Sequence, residues 1–493
     1  MNMSILGISA GFHDAAATVI NNKGEILYAG HAERYSKVKN DPNIHINMIA
    51  ELGQWDIGHI AYYETPWKKQ LRQLYSGQGI EWDKLTAKKI LSQQLHGFFS
   101  DAPVSTHNHH LSHAAGGFQT SPFDRATVVV IDAVGEWDTI SIWAAEYVDG
   151  QATYKKLWGQ KYPHSIGLFY SAVTADVGLK PMEDEYILMG MAAYGWPVAA
   201  KRMKMDLIEN EYTVTFRENM HAGITKEYSA LYENNHIAAS AQALCENLIY
   251  NVIRRAKNLD WSNNLVYTGG VALNCLANKN LGDYFDNIWI MPNPGDAGSS
   301  LGAAALAYGK RLAWRDSFLG HNIPGCYPVN SILDELLANR IVGVASGRAE
   351  FGPRALGNRS LLADPRGHDI KDKVNEIKKR QQFRPFAPVI LEEHVDEYFD
   401  IPRGFVDTRY MQLVGHCRMP NLFPAITHVD GTSRIQTVPR DGSGIRELLE
   451  KWFVLTGCPM LLNTSLNIKG EPMVNNRIDA DRFERLYNVK VCS

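Results

Sequence analysis

Cysteine is scarce in this chain, with six among 493 residues. Cys245, Cys275, Cys326, Cys417, Cys458 and Cys492 are scattered and include no C-x-x-C pair, which excludes a disulfide framework and a thiolate zinc module. They read as reduced thiols of a cytoplasmic protein. A run of about 18 apolar residues is also missing, so no membrane span is expected. The opening MNMSILGISAGFHDAAATVI carries His13 and Asp14 where an export signal would be apolar. Charge of one sign is lacking too: 50 basic against 53 acidic residues leave a net of -3, too little to draw polyanions over the whole surface. What is present, 45% hydrophobic and 21% charged residues with 40 Gly and 21 Pro, is an ordinary globular composition. At this length the chain is expected to hold about three compact units.

Periodicity reveals a repeat. SILGIS, AAATVI and ILYAGHAE read as three strands, with the turn GFHD after the first. ATVVVIDAVGEWDTISIWAAEYVDGQATYKKLW repeats strand, acidic Gly turn, strand, Asp-Gly turn, strand. Such a duplicated meander resembles the actin, heat-shock ATPase and sugar-kinase superfold, whose first turns hold phosphates with backbone N–H groups; a generic mixed sheet fits the periodicity equally well. Two strand-loop-helix units follow, NNLVYTGGVALNCLANKNL and IWIMPNPGDAGSSLGAAALAYGKR, with Gly-rich turns that let backbone approach an anion. The pattern loosens from about 310 to 340, and a domain boundary is expected near 320. Beyond it, IVGVAS, FAPVI and PMLLN read as short strands of a separate α+β domain.

HNHHLSHAAGG places His109 and His113 one helical turn apart, within reach of one metal ion. Asp132 ends a strand and Asp296 precedes a helix, at the carboxyl ends of strands where α/β sites collect. Two imidazoles and two carboxylates suit Fe(II) or Zn(II); the alternative is a pair of hydrogen-bonded helix residues. His107 and His110 fall off that face and read as surface or supporting residues. His13 and Asp14 lie in the first turn, where a side chain can reach a reacting centre. Glu33, Arg34 and Lys39 read as a solvated edge. Arg348, Arg354, Arg359 and Arg366 are interleaved with Gly347, Gly352, Pro353 and Gly357, which argues for backbone shaped around a ligand. With Arg384 and Arg434 they suit a phosphorylated small molecule, and Asn463, Ser465 and Asn467 add neutral donors and acceptors.

Together, GISAGFHDAAATVI, AERYSKVKND, HHLSHAAGGF, EYILMGMAAYG, TGGVALNCLAN, PGDAGSSLGAA, GRAEFGPRALGNRSLLADPR, FRPFAP, HVDGTSRIQTV and PMLLNTSLNIKGEP resemble the O-carbamoyltransferases of nodulation-factor and antibiotic tailoring. The resemblance spans nearly the whole chain. It implies an α/β fold in which residues 1–320 form a duplicated actin/sugar-kinase-like (ribonuclease H-like) transfer domain, akin to the protein that transfers threonylcarbamoyl to tRNA. Residues 321–493 would then form an α+β YrdC-like activation domain. It implies that ATP, with Mg2+, and carbamoyl phosphate give carbamoyl adenylate in the second domain, and that the first transfers the carbamoyl group to an acceptor hydroxyl. By the same resemblance His109, His113, Asp132 and Asp296 hold Fe2+ or another divalent metal, and His13, Asp14 and Lys39 are catalytic. Gly11, Gly135, Gly269, Gly270 and Asn274 would approach the nucleotide or carbamoyl adenylate. Arg348, Arg354, Arg359, Arg384, Arg434, Asn463, Ser465 and Asn467 would hold carbamoyl phosphate and ATP.

His13, as a neutral imidazole, is the candidate base for the acceptor hydroxyl. Residues 63–95 and 204–236 match no strong motif and are where acceptor choice is expected to lie. The chain ends soon after GEPMV, so the second domain is expected to lack a final strand segment. A sugar, nucleoside or other small hydroxyl compound fits as acceptor; a hydroxymethylated base in DNA or a nucleotide is the alternative, for which Lys68, Lys69, Arg72, Lys88 and Lys89 could contact phosphates, although a solvated helix face is the better reading of those residues. A kinase of the same superfold and a non-catalytic nucleotide or metal sensor are the competing readings, and a homodimer is compatible with all of them.

Overall fold

The computed structural model describes residues 3–442 and 444–493. The first meander forms as expected, from β1 (Ser4–Ser9), β2 (Ala16–Ile20) and β3 (Ile26–His31), all antiparallel. β4 (Ile57–Tyr62) and β5 (Val104–Thr106) extend it in parallel on the far side of β1, giving the order β3-β2-β1-β4-β5. The second meander is β6 (Arg125–Gly135), β7 (Asp138–Val148) and β8 (Gln151–Lys161). After a small hairpin, β9 (Ile208–Asn210) with β10 (Thr215–Phe216), the strands β11 (Asn264–Thr268) and β12 (Asn287–Trp289) join it in parallel. The order β8-β7-β6-β11-β12 repeats that of the first sheet strand for strand. The protein is thus a mixed α/β chain whose first part contains the same five-stranded sheet twice.

Two helices lie between these sheets. His109–Thr120 begins where the Asn108 side chain accepts from the Leu111 N–H at 3.1 Å, and it packs on β6 and β11. Ser299–Tyr308 packs on β1, β2 and β4, and the two helices touch each other. Their approach is close because Gly302 has no side chain: a Cβ there would sit 1.8 Å from the Ser112 carbonyl oxygen. The helices Ile166–Asp176 and Asn234–Asn258 cover the other face of the second sheet, burying Ile131, Ile142, Phe169 and Ile249. β6 is apolar on both faces, as a strand sandwiched by helices must be.

The remaining residues build a six-stranded sheet in the order 436–438, 387–391, 460–465, 359–363, 341–345, 491–492. Val491–Cys492 pairs parallel to Ile341–Ala345 and forms one edge of this sheet. Helices Val329–Asn339 and Gly444–Thr456 cover one face. A ladder of Phe318–Ile323 with Gly347–Glu350 leans on β3, tying the later residues to the first sheet. Arg34 departs from the expected solvated edge: it is buried in the short helix Glu33–Ser36 and donates to the Gly352 carbonyl at 2.7 Å. Among the described residues no helix is long and apolar enough to cross a membrane.

Gly302→Ala is expected to destabilise the fold by about 3 kcal/mol, the upper part of the range for overpacking a tight contact. Urea denaturation checks it. Gly190→Ala, where a Cβ meets nothing within 4 Å, should be neutral or stabilising.

Candidate metal centre and anion cavity

The interleaved helices and sheets bring four distant residues together. His109 and His113 sit on the first turns of their helix, and Asp132 lies where the β6–β7 register breaks between Ile131 and Gly135, an irregularity that re-aims its side chain. Asp296 comes from the 3-10 turn Asp296–Gly298 that leads into the 299–308 helix. The two Nε2 atoms are 3.1 Å apart; His109 Nε2 is 3.3 Å from Asp132 Oδ2 and 3.4 Å from Asp296 Oδ1, and His113 Nε2 is 3.7 and 3.3 Å from the same oxygens. Ligands around a first-row divalent ion at roughly 2.0–2.2 Å stand roughly 3.0–3.5 Å apart, a range that all these spacings but the wider His113–Asp132 one match. His109 Nδ1–H donates to Glu64 Oε2 at 3.3 Å, His113 Nδ1 meets Ser299 Oγ at 3.2 Å, and Gly270 N–H donates to Asp132 Oδ1 at 3.3 Å. Such contacts turn both Nε2 lone pairs toward the centre. Four lone-pair donors then converge, and a cation satisfies them. Burial pushes both imidazole pKa values down, but the surrounding carboxylates outweigh it and raise them, the mark of a site short of positive charge.

Asp132 and Asp296 open onto a cavity of about 1120 Å³. His13, Asp14 and Lys39 line it. His13 Nδ1 is 3.2 Å from Asp14 Oδ2; burial works against the imidazolium, yet Asp14 and Asp296 prevail and push its pKa up to about 9. That shift favours the imidazolium over the neutral imidazole expected from the sequence. Lys39 stands over the Tyr186 ring, Nζ 5.9 Å from its centroid.

Elsewhere the wall is cationic. Arg354, Arg384 and Arg434 line the cavity, joined by two residues the sequence did not single out, Lys378 and Arg380. Among the described residues none of the five pairs with a carboxylate, and Nε of both Arg354 and Arg434 is buried without a hydrogen-bond partner. Lys378 Nζ donates only to neutral oxygens, the Ser465 carbonyl and Oγ and the Asn467 carbonyl and Oδ1. Burial, then Arg380 and Arg384, drives its pKa well down. Ser465 and Asn467 thus position a lysine, while Asn463, also in the wall, keeps a buried Oδ1 without a hydrogen-bond partner. Arg384 stacks on Tyr186 at 4.8 Å. The KKR run at 378–380 carried no signal beyond that of a solvated helix end, and Glu64, in YYETP, carried none.

Several expected residues sit elsewhere. Arg348 does not face the cavity: its Nη2 donates to the Leu27 and Leu319 carbonyls, tying the 318–323 strand to β3. Arg359 is fully buried, its guanidinium spent on the carbonyls of Asn475, Ser346, Asn358, His321 and Gly347. Gly11, Gly135 and Gly269 do not line the cavity either. Gly269 takes φ 90° where a Cβ would lie 2.2 Å from the Ile131 oxygen, and Gly135 clears space for the His109 ring. Gly270 and Asn274 are in the wall, but the Asn274 amide is engaged with Gln242. His110 is buried against Ser141 Oγ at 2.7 Å, not on the surface.

The family model described as Carbamoyltransferase N-terminus matches residues 62–305, and that described as Carbamoyltransferase C-terminus matches residues 333–491. The chain is 34% identical to protein sll1178 of Synechocystis sp., over 97% of this chain and 93% of that one, and 31% identical to nodulation protein NolNO of Sinorhizobium fredii, over 95% and 76%. The chain belongs to the carbamoyltransferase family. This carbamoyltransferase is also 28% identical to the 3'-hydroxymethylcephem-O-carbamoyltransferase of Amycolatopsis lactamdurans, over 97% of this chain and 95% of that one. Family membership makes it an enzyme that transfers a carbamoyl group, which sets aside the non-catalytic sensor and the phosphoryl-transferring kinase.

Glu64→Gln is expected to weaken divalent-metal binding by about 10–100-fold, because it loosens the hold on His109 Nδ1–H. His113→Ala should abolish stoichiometric metal. Elemental analysis after dialysis against a graded chelator reads both.

Proposed function

We propose that this carbamoyltransferase is an ATP-dependent O-carbamoyltransferase that makes carbamoyl adenylate and consumes it within one cavity. The observation that carries the reading is the single space of about 1120 Å³ with an unpaired cationic wall in one part and the convergent His/Asp group in another. In this reading residues 1–320 are the actin-like transfer domain, supported by the repeated strand order, and residues 321–493 are the YrdC-like activation domain.

The chemistry balances in three parts. Carbamoyl phosphate and water give carbamate and phosphate; carbamate attacks the α-phosphorus of ATP, forming the carbamoyl C–O–P bond and releasing pyrophosphate; the acceptor hydroxyl then attacks the carbamoyl carbon, releasing AMP and a proton. Arg354, Arg380, Arg384, Arg434 and Lys378 neutralise the phosphates and the departing pyrophosphate. Asn463 Oδ1, free of partners, suits the carbamoyl NH2 as a hydrogen-bond acceptor. His109, His113, Asp132 and Asp296 would hold a divalent metal, iron(II) by the family resemblance, which when bound supplies Lewis-acid polarisation of a carbonyl or phosphoryl oxygen. Lys39 adds positive charge where AMP leaves. His13 takes the hydroxyl proton in its deprotonated fraction, and Asp14 stabilises the imidazolium that results.

Wild-type protein given ATP and carbamoyl phosphate should release pyrophosphate and phosphate, and AMP on addition of an acceptor; ADP as sole product would overturn the reading. Since the His13 pKa is raised to about 9, its base form grows as pH rises. Transfer at limiting acceptor should therefore climb between pH 7 and 9 and level off above. His13→Asn is expected to lower transfer by about 10²–10⁴-fold and to flatten that profile while pyrophosphate release persists.

A further inference from the structure

The helix Pro66–Tyr75 presents Lys69 and Arg72, three residues apart and so on one face, to the cavity that also holds His13 and Asp296. Lys69 is paired with Glu64 at 3.3 Å and sits 3.6 Å from the centroid of the Phe12 ring. Lys84, also in this wall, is held by Glu81 at 2.8 Å. Arg72 differs from both. It is 4% exposed, and among the described residues its guanidinium makes no hydrogen bond and no ion pair; its Nε is buried without a partner.

Its surroundings are the Tyr162 ring, 5.7 Å from the guanidinium carbon, and the His221 imidazole edge-on to that ring. Neither brings a countercharge. Glu64, within electrostatic reach, is already engaged by Lys69 and His109. Arg348 and Arg359 spend their guanidinium groups on carbonyls away from the cavity, whereas Arg72 lines the cavity with no hydrogen-bonded partner among the described residues. It is also separate from the other arginines. Arg72 responds to Tyr162 and Glu64, whereas Arg354 responds to Arg434, Tyr186 and Arg384.

We infer that Arg72 anchors an acidic group of the acceptor, so that the compound carbamoylated here carries a carboxylate or a phosphate beside its reacting hydroxyl. The inference rests on the O-carbamoyltransferase reading above. A planar guanidinium takes either oxyanion through two parallel N–H donors, and in a low-dielectric wall that pairing is strong and orienting. Lys69 and Lys84 take up Glu64 and Glu81, so those two carboxylates are not free for a cationic acceptor. Lys68 lies 3.9 Å from Glu136, so its charge too is answered. The proposal gives the 63–95 segment its role in acceptor choice through one residue.

Four matched probes test it on the full chain: 3-(hydroxymethyl)benzoate, its methyl ester, 3-(hydroxymethyl)benzylamine and 3-(hydroxymethyl)phenyl phosphate. Binding is measured by calorimetry with a non-hydrolysable ATP analogue filling the nucleotide region. The acid or the phosphate should bind at least tenfold tighter than the ester and the amine, and whichever of the two anions wins identifies the acidic group. Arg72→Gln should erase the anion preference while leaving ester binding alone, and Arg72→Lys should keep part of it; unfolding midpoints confirm that both variants fold. Equal binding of acid, ester and amine, or a preference that survives Arg72→Gln, overturns the inference. Pyrophosphate release by the wild-type protein is read separately. Its absence sinks the carbamoyl-transfer reading, and the binding comparison still decides whether Arg72 is an anion site.

Discussion

Buried charge without an internal counter-ion is the constraint on which this structure turns. Taking an ion out of water costs several kcal/mol even after relaxation, and a lone buried partner costs about 3–5 kcal/mol. The chain accepts that cost at opposite signs in one cavity. His109, His113, Asp132 and Asp296 converge with more negative charge than their imidazoles balance, while Arg354, Arg380, Arg384, Arg434 and Lys378 face inward with no carboxylate among them. Elsewhere the protein pairs its charges well: Arg446 has Glu393 at 2.6 Å and Arg409 has Asp407 at 2.5 Å. The unanswered charge is concentrated in the cavity, and in the proposed reading a cation at one place and polyanions at another remove it.

The scaffold that maintains the deficit is rigid for a physical reason. The four metal-type donors come from two helices and a broken strand edge, and the helices cross where Gly302 meets the Ser112 carbonyl. Any side chain at that crossing would separate His113 from Asp296, which rides on the same turn as the 299–308 helix. Gly7 lets the other side of that helix press on β1, where a Cβ would stand 2.0 Å from the Ser300 oxygen. Both sheets thus grip one pair of helices, and the donor atoms inherit the precision of the backbone contact.

Much of this was legible before any coordinates. The i, i+4 histidines and the two strand-end aspartates were readable because helix and strand periodicities fix which residues share a face and where a strand stops. The repeated meander was readable for the same reason. The arginines were only partly so. Arg348, Arg354 and Arg359 share one Gly-rich string, and the string says that the backbone is unusual there without saying which way each side chain points. Arg354 turns into the cavity, whereas Arg348 and Arg359 turn back onto carbonyls. Lys378 and Arg380 were invisible, and Arg72 was legible only as a DNA-phosphate contact or a solvated face, because a cation on or just past a short helix looks solvated until tertiary packing buries it. Glu64 was invisible because its only cue is a neighbour in space, His109.

The size of the cavity adds a last step. Pockets for one small ligand run to about 300–1,000 Å³, and at about 1120 Å³ this one exceeds what a single nucleotide fills. Two ligands side by side use the space, and the charges sort them. In the proposed reading a nucleotide lies against the unpaired arginines with its carbamoyl end toward Asp132, Asp296 and His13. In that same reading the acceptor brings its hydroxyl from the Phe12 and Lys69 side. Because Lys69 and Lys84 are already neutralised by Glu64 and Glu81, Arg72 is the cation there with donors to spare. Overall charge conceals this arrangement entirely: a net of -3 is compatible with any acceptor, whereas a single buried guanidinium selects the sign of the one that fits.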